Sequence, residues 1–105
     1  MVKVIVNPGA CGMIANLSVD AADIKRVNIE IESPCPQIMA MKEDLQGLDG
    51  YKECFAKYGD SAVYQSAQKH CRHLACPVPT AIIKGMEAAC GLAAPKDVSI
   101  QIQRE

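Results

Sequence analysis

The spacing of apolar residues changes period twice along this chain, and that change restricts the fold more than any other feature. From Met13 to Asp20, Met13, Ala15, Leu17 and Val19 fall on one parity, and Asn16, Ser18 and Asp20 on the other. Val27, Ile29 and Ile31 then alternate with Arg26, Asn28, Glu30 and Glu32. A period of two belongs to a strand with one face in the core and one in water. Val2 to Val6 is a shorter apolar run with little alternation, which reads as a strand buried on both faces. Ala21-Ala22-Asp23 reads as the turn between strands two and three.

After Ser33 the period becomes helical. Ile38, Met41, Leu45 and Leu48 form one stripe over Pro36–Leu48, and Tyr51, Cys54, Phe55 and Tyr58 a second, with Asp49 as its N-cap. Tyr64, Ala67, Cys71 and Leu74 form a third. A fourth helix is expected over Pro77–Cys90, with Val78, Ile82, Met86 and Ala89 inward. Gly91 followed by Leu92 has the form of a left-handed cap with its apolar follower, and Pro95 bars continuation. The period then returns to two, with Val98, Ile100 and Ile102 against Ser99, Gln101 and Gln103.

The expected order is β-β-β-α-α-α-α-β, a single α+β domain over residues 1–105 in two layers, with helices on one face of a four-stranded sheet. Val27, Ile29, Ile31, Val98, Ile100 and Ile102 should then share a buried face with Ile38, Leu45 and Ile82. A chain of 105 residues holds one core.

Composition removes several functions. A net charge of −1 offers no basic field for nucleic acid or an anionic membrane. With no Trp, three Tyr and one Phe, a base-stacking platform is not expected. Charged or polar residues interrupt the apolar runs too early for a membrane span. No glycine-rich phosphate loop occurs. The opening Met1-Val2-Lys3-Val4 enters a strand at once, without the layout of a secretion leader, so a cytoplasmic protein with reduced thiols is expected.

Six cysteines are the unusual feature. Cys54, Cys71 and Cys90 lie on or beside helical stripes, where a free thiol acts as a small hydrophobe. Cys11 precedes Gly12 in a turn-rich loop. Cys35 and Cys76 each precede a proline, which places both at helix N-caps, a position where Cys is a poor substitute for Ser or Asp. Two hairpin-like connections bring Cys11 and Cys35 to one edge of the sheet. Cys76 joins them if the fourth strand runs parallel to the third. His73 stands three residues before Cys76, a spacing able to bite one ion, and points away from the Cys71 stripe; His70 reads as a boundary side chain.

Cys11, Cys35, His73 and Cys76 make a full tetrahedral donor set for zinc, the first choice, with an iron–sulfur cluster second. Two other readings stand beside this metal site. One is a thiol-dependent redox protein or enzyme with Cys76 or Cys35 as nucleophile and His73 as base. The other is a metal-free homodimeric interaction module. Glu30, Glu32 and Asp44 read as solvated, and Met39 and Met41 as core filler.

Cys11-Gly12, Ser33-x-Cys35-Pro36 and His73-x-x-Cys76-Pro77-Val78-Pro79, with Gly91-Leu92 and Pro95 before the last alternating segment, resemble a family of short uncharacterised proteins from anaerobic bacteria and archaea. The likeness spans nearly the whole chain, and the His-x-x-Cys-Pro-Val-Pro stretch is its most specific part. It implies one compact domain, an anaerobe's cytosol and Cys11, Cys35, His73 and Cys76 at the motif positions. No activity comes with it. An anaerobic setting would favour the iron–sulfur alternative.

Overall fold

The structure, a computed structural model, describes residues 1–105. Three antiparallel strands, β1 (Val2–Val6), β2 (Ala15–Asp23) and β3 (Arg26–Glu32), form a sheet in sequence order. Val4 pairs with Leu17 and Leu17 with Ile31; Val2 pairs with Val19 and Val19 with Ile29. Each row puts apolar side chains on the face that the helices cover. Asn16, Asp20, Glu30 and Glu32 lie exposed on the opposite face, as the parity of β2 and β3 requires. β2 runs on through Ala21–Asp23 with an irregularity there, so the turn falls at Ile24-Lys25 rather than at Ala21–Asp23.

Four α-helices follow: α1 (Pro36–Met39), α2 (Gly50–Cys54), α3 (Ala62–His70) and α4 (Val78–Ala89). Leu17, Val19, Val27, Ile29, Ile31, Ile38, Met41, Leu45, Val63, Ile82 and Met86 are buried together. α4 lies across β1 and β2, and Gly85 makes the approach possible. A Cβ there would stand 2.9 Å from Cγ2 of both Val4 and Val19. The helix ends in a Schellman cap: Gly91, at φ 71°, donates to Ala88, and Leu92 donates to Glu87 at 2.8 Å.

The four-stranded sheet is corrected to three strands. Residues 97–105 form no strand and make no hydrogen bond, and Val98, Ile100 and Ile102 are 60%, 73% and 91% exposed. Alternation fixes which face each side chain would take. Pairing is non-local, and no strand of this chain pairs with the segment. Val27, Ile29, Ile31, Ile38, Leu45 and Ile82 do share the buried face. β1 is corrected too. It is an edge strand with one wet face, and Ile5 is 75% exposed.

The first helical stripe is broken by the sheet. α1 lasts one turn, a 3-10 turn covers Lys42–Leu45, and Gly47 at φ 67° redirects the backbone. Leu48 then exchanges two backbone hydrogen bonds with Val27, each 2.8 Å, along the outer side of β3. The second stripe is not a core face: Tyr51, Phe55 and Tyr58 are all exposed. Asp49 does cap α2, accepting from the Lys52 N–H at 3.1 Å. Glu53 is drawn inward instead, to the start of α3, which leaves the rings outside.

Candidate metal centre

Four separate stretches of chain meet where β1 ends. The first is the loop from Asn7 to Ile14. Gly9 (φ 91°) and Gly12 (φ 67°) bend it, Gly12 donates to the Gly9 carbonyl at 2.9 Å, and Cys11 is exposed at its tip. The second is the start of α1. Cys35 is its N-cap residue with φ −76° and ψ 115°, and the thiol makes no capping bond. Pro36 occupies the first helical turn without needing a donor partner, so the sulfur remains free.

The third stretch is the end of α3. Cys71 is the C-cap residue, its N–H donating to Ala67 at 2.7 Å. Gln37 of α1 ties this end down, accepting from the Arg72 N–H at 2.9 Å. The fourth is the turn His73–Cys76, closed by the Cys76 N–H donating to the His73 carbonyl at 3.1 Å. α4 takes Pro77 as its N-cap, so Cys76 stands one residue before the cap rather than at the cap position expected for it. The reason is local: Pro77 and Pro79 both favour the helix entrance, and the second sets the first full turn.

Together these stretches wall a cavity of about 360 Å³, lined among others by Cys11, Cys35, Cys71, His73, Cys76 and Ile38. Its only ionisable side chains are the four thiols and one imidazole; the rest of the wall is Pro, Ala, Met, Gln, Ile and Val. All four residues proposed from the sequence therefore line one cavity. Cys76 arrives there through the α3–α4 connection, without the fourth strand that the sequence argument used. Cys35 and Cys76 are half-buried, while Cys11 and His73 lie exposed at the rim. No three His, Cys, Asp or Glu side chains are gathered closely enough to hold a metal ion as they stand.

Cys71 is the member that the sequence reading assigned to packing. Its sulfur lies 3.7 Å from Met41 Sδ and 4.0 Å from the Gln37 carbonyl. Burial raises its pKa, and the neighbouring Cys76 and Cys35 raise it further. Cys71 is packed against the core as expected and lines the cavity as well, because α3 stops at His70 and leaves it as the C-cap residue at the helix end. Cys71 and Cys76, five residues apart with His73 between them, were the signal that could have found it.

Cys54, Cys90, His70 and Asp44 lie outside the lining of this cavity. Burial, with Glu87, Cys90 and Glu53 nearby, pushes the Cys54 thiol up to about 11. Burial, then Asp49, raises Cys90. His70 lies 3.3 Å from the Asp44 carboxylate, in the boundary position expected for it. Asp44 is not merely solvated, since Ser66 Oγ donates to it at 2.7 Å. A second cavity of about 280 Å³ lies beside Glu53, Tyr58, Tyr64, Thr80 and Lys84. The Glu53 carboxylate there is already taken up by the backbone of α3. No helix is long and apolar enough to cross a membrane.

The profile of a family of unknown function, DUF6951, matches residues 2–102. No curated protein and no solved structure matches the chain.

Proposed function

We propose, for a chain that belongs to the DUF6951 family, that Cys11, Cys35, His73 and Cys76 bind a transition metal at the mouth of the shared cavity. Zinc is the first choice. The supporting observation is that these four residues, drawn from separate loops and helix ends, line one cavity with no acidic or basic side chain among them except His73. Thiolate sulfur and imidazole nitrogen are donors that zinc takes in tetrahedral sites. Apart from Gln37 the rest of the wall is apolar, a low-dielectric surrounding that strengthens such bonds wherever water is kept out.

Binding requires closure. The donors stand apart in this structure, and the loop bearing Cys11 turns on Gly9 and Gly12, so it is the part that would swing toward Cys35 and Cys76. Metal sites commonly assemble only as the ion binds, and the ion then supplies the free energy of deprotonating the thiols.

The presence of Cys71 on the same wall favours a second reading, an iron–sulfur cluster held by Cys11, Cys35, Cys71 and Cys76. We infer a reducing cytoplasm for the protein, and an anaerobe's in particular, because four unpaired thiols lining one cavity persist where oxidants are scarce.

The test is elemental analysis of protein purified without oxygen. Zinc at one equivalent per chain, retained through desalting and lost in Cys35→Ser and Cys76→Ser, supports the first reading. Iron with acid-labile sulfide, lost also in Cys71→Ser, supports the second. Metal-free protein whose thiols all react with an alkylating probe would leave the thiol-redox reading, with Cys76 or Cys35 as nucleophile and His73 as base.

A further inference from the structure

We propose that residues 97–103 of one copy of this chain add as a strand to the free edge of β1 in a second copy, each copy lending its segment to the other. The proposal is independent of the cysteine cavity and rests on three features of the sheet and the segment.

The segment has the pattern of a strand and lacks a partner. Val98, Ile100 and Ile102 alternate with Ser99, Gln101 and Gln103, yet the three apolar side chains are exposed and no backbone group from Asp97 onward is hydrogen-bonded within the chain. Backbone N–H and C=O groups in an alternating apolar segment are the template that another sheet edge recognises.

The sheet has one open edge. The outer side of β3 is already occupied: Val27 and Leu48 exchange hydrogen bonds there, and the Gln46 side-chain amide donates to the Ile29 carbonyl at 2.7 Å. β1 has β2 on one side and no strand on the other.

That open edge leaves apolar surface half-covered. Val2 and Val4 face the helices and are only half-buried, whereas Val19 and Leu17, their partners on β2, are buried. A strand laid beside β1 with Val98, Ile100 and Ile102 toward the helices would cover Val2 and Val4. Ser99, Gln101 and Gln103 would then fall on the wet face beside Lys3 and Ile5. In the single chain the segment follows the Gly91 cap and Pro95 and makes no hydrogen bond to β1. A second copy supplies the same edge. Mutual exchange of identical segments closes a two-fold dimer with no unpaired edge left on β1.

Light scattering on the full chain, combined with amide hydrogen exchange, tests this. The expected mass is about twice the 11.3 kDa of one chain, with slowed exchange in both β1 and residues 98–103. Removing residues 97–105, or substituting Ile100→Pro, should return the mass to that of one chain and restore fast exchange along β1. Proline removes a ladder donor and cannot sit within a paired strand. Both changes lie in an exposed segment that makes no hydrogen bond in the single chain, so the far-UV circular dichroism of the domain should persist. A single-chain mass at millimolar concentration, with or without protection of the segment, overturns the proposal. A dimer that survives both changes overturns it equally.

Discussion

The Oε1 atom of Glu53, buried at the end of α2, accepts a hydrogen bond from Ser61 Oγ at 2.8 Å, although eight residues separate the two. The same carboxylate accepts from the Ala62 and Val63 N–H groups at 2.8 and 3.0 Å, and Ser61 Oγ accepts from Tyr64 N–H at 3.2 Å. Three orphan donors at the entrance to α3 are thereby satisfied by two side chains. α3 ends at the Cys71 wall of the cavity, so this clamp fixes the helix that carries one side of the site.

Glu53→Ala is expected to cost roughly 2–4 kcal/mol, because it strands buried backbone donors as well as the Ser61 hydroxyl. Ser61→Ala should cost about 1–2 kcal/mol as a lost N-cap. The double variant should lose less than the sum, since the two share partners. Urea unfolding followed by circular dichroism measures all three. A Glu53→Ala variant as stable as the parent would show that the clamp does not hold α3.

Gly85→Ala sets helix propensity against packing. Alanine would favour the helix by about 1 kcal/mol, but its Cβ meets β-branched Val4 and Val19 side chains across a packed interface. Overpacking of this kind costs roughly 1–3 kcal/mol and stiff Val rotamers give little relief, so the net change should be destabilising. Thermal unfolding is the check, and a raised midpoint would contradict the close approach of α4 to the sheet.

Cys54 should make the fold sensitive to alkali. Its thiol is raised from 9.0 to about 11 chiefly by burial. The folded state therefore favours the protonated form. Its contribution is present in full below the unfolded thiol's pKa and is lost as pH rises from about 9 through 11. Cys54→Ala should flatten the stability profile across that window. In the folded parent, an alkylating probe at mildly alkaline pH should label the exposed Cys11 well before Cys54.

The opposite sign applies to Asp44. The Ser66 hydrogen bond, outweighing some desolvation and aided by Lys69 and His70, holds its carboxyl below the ordinary value. That contribution is present above the pKa of an unfolded Asp and disappears as pH falls through the lower folded value. Asp44→Asn should reduce the acid sensitivity of unfolding, and the difference should shrink with added salt because the site is open to solvent.

Local pattern made some of the molecule readable before any coordinates. The parity of Val27, Ile29 and Ile31, the Asp49 cap, the Gly91-Leu92 stop and the Cys35 N-cap all depend on near neighbours, and all are found. What escaped depends on distant partners. The Pro36–Leu48 stripe gave no sign that Leu48 would leave the helix to bond with Val27. The Tyr51–Tyr58 stripe gave none that Glu53 would turn inward in place of the rings. Val98, Ile100 and Ile102 carry a strand's alternation without the edge that would make them one. Cys11, Cys35, His73 and Cys76 line one cavity, although no three of them stand close enough to hold an ion, and the parallel fourth strand expected to carry Cys76 there does not exist. The short α3–α4 turn brings Cys76 to the cavity instead.

X-ray absorption at the metal edge of anaerobically purified protein tests the proposed centre most directly. Zinc held by Cys11, Cys35, His73 and Cys76 should show three sulfur donors at about 2.3 Å and one nitrogen at about 2.0–2.1 Å. His73→Cys should convert the shell to four sulfurs, and Cys76→Ser should lower its sulfur count. A metal coordinated only by oxygen, or a shell unchanged in both variants, would contradict a metal centre at this cavity.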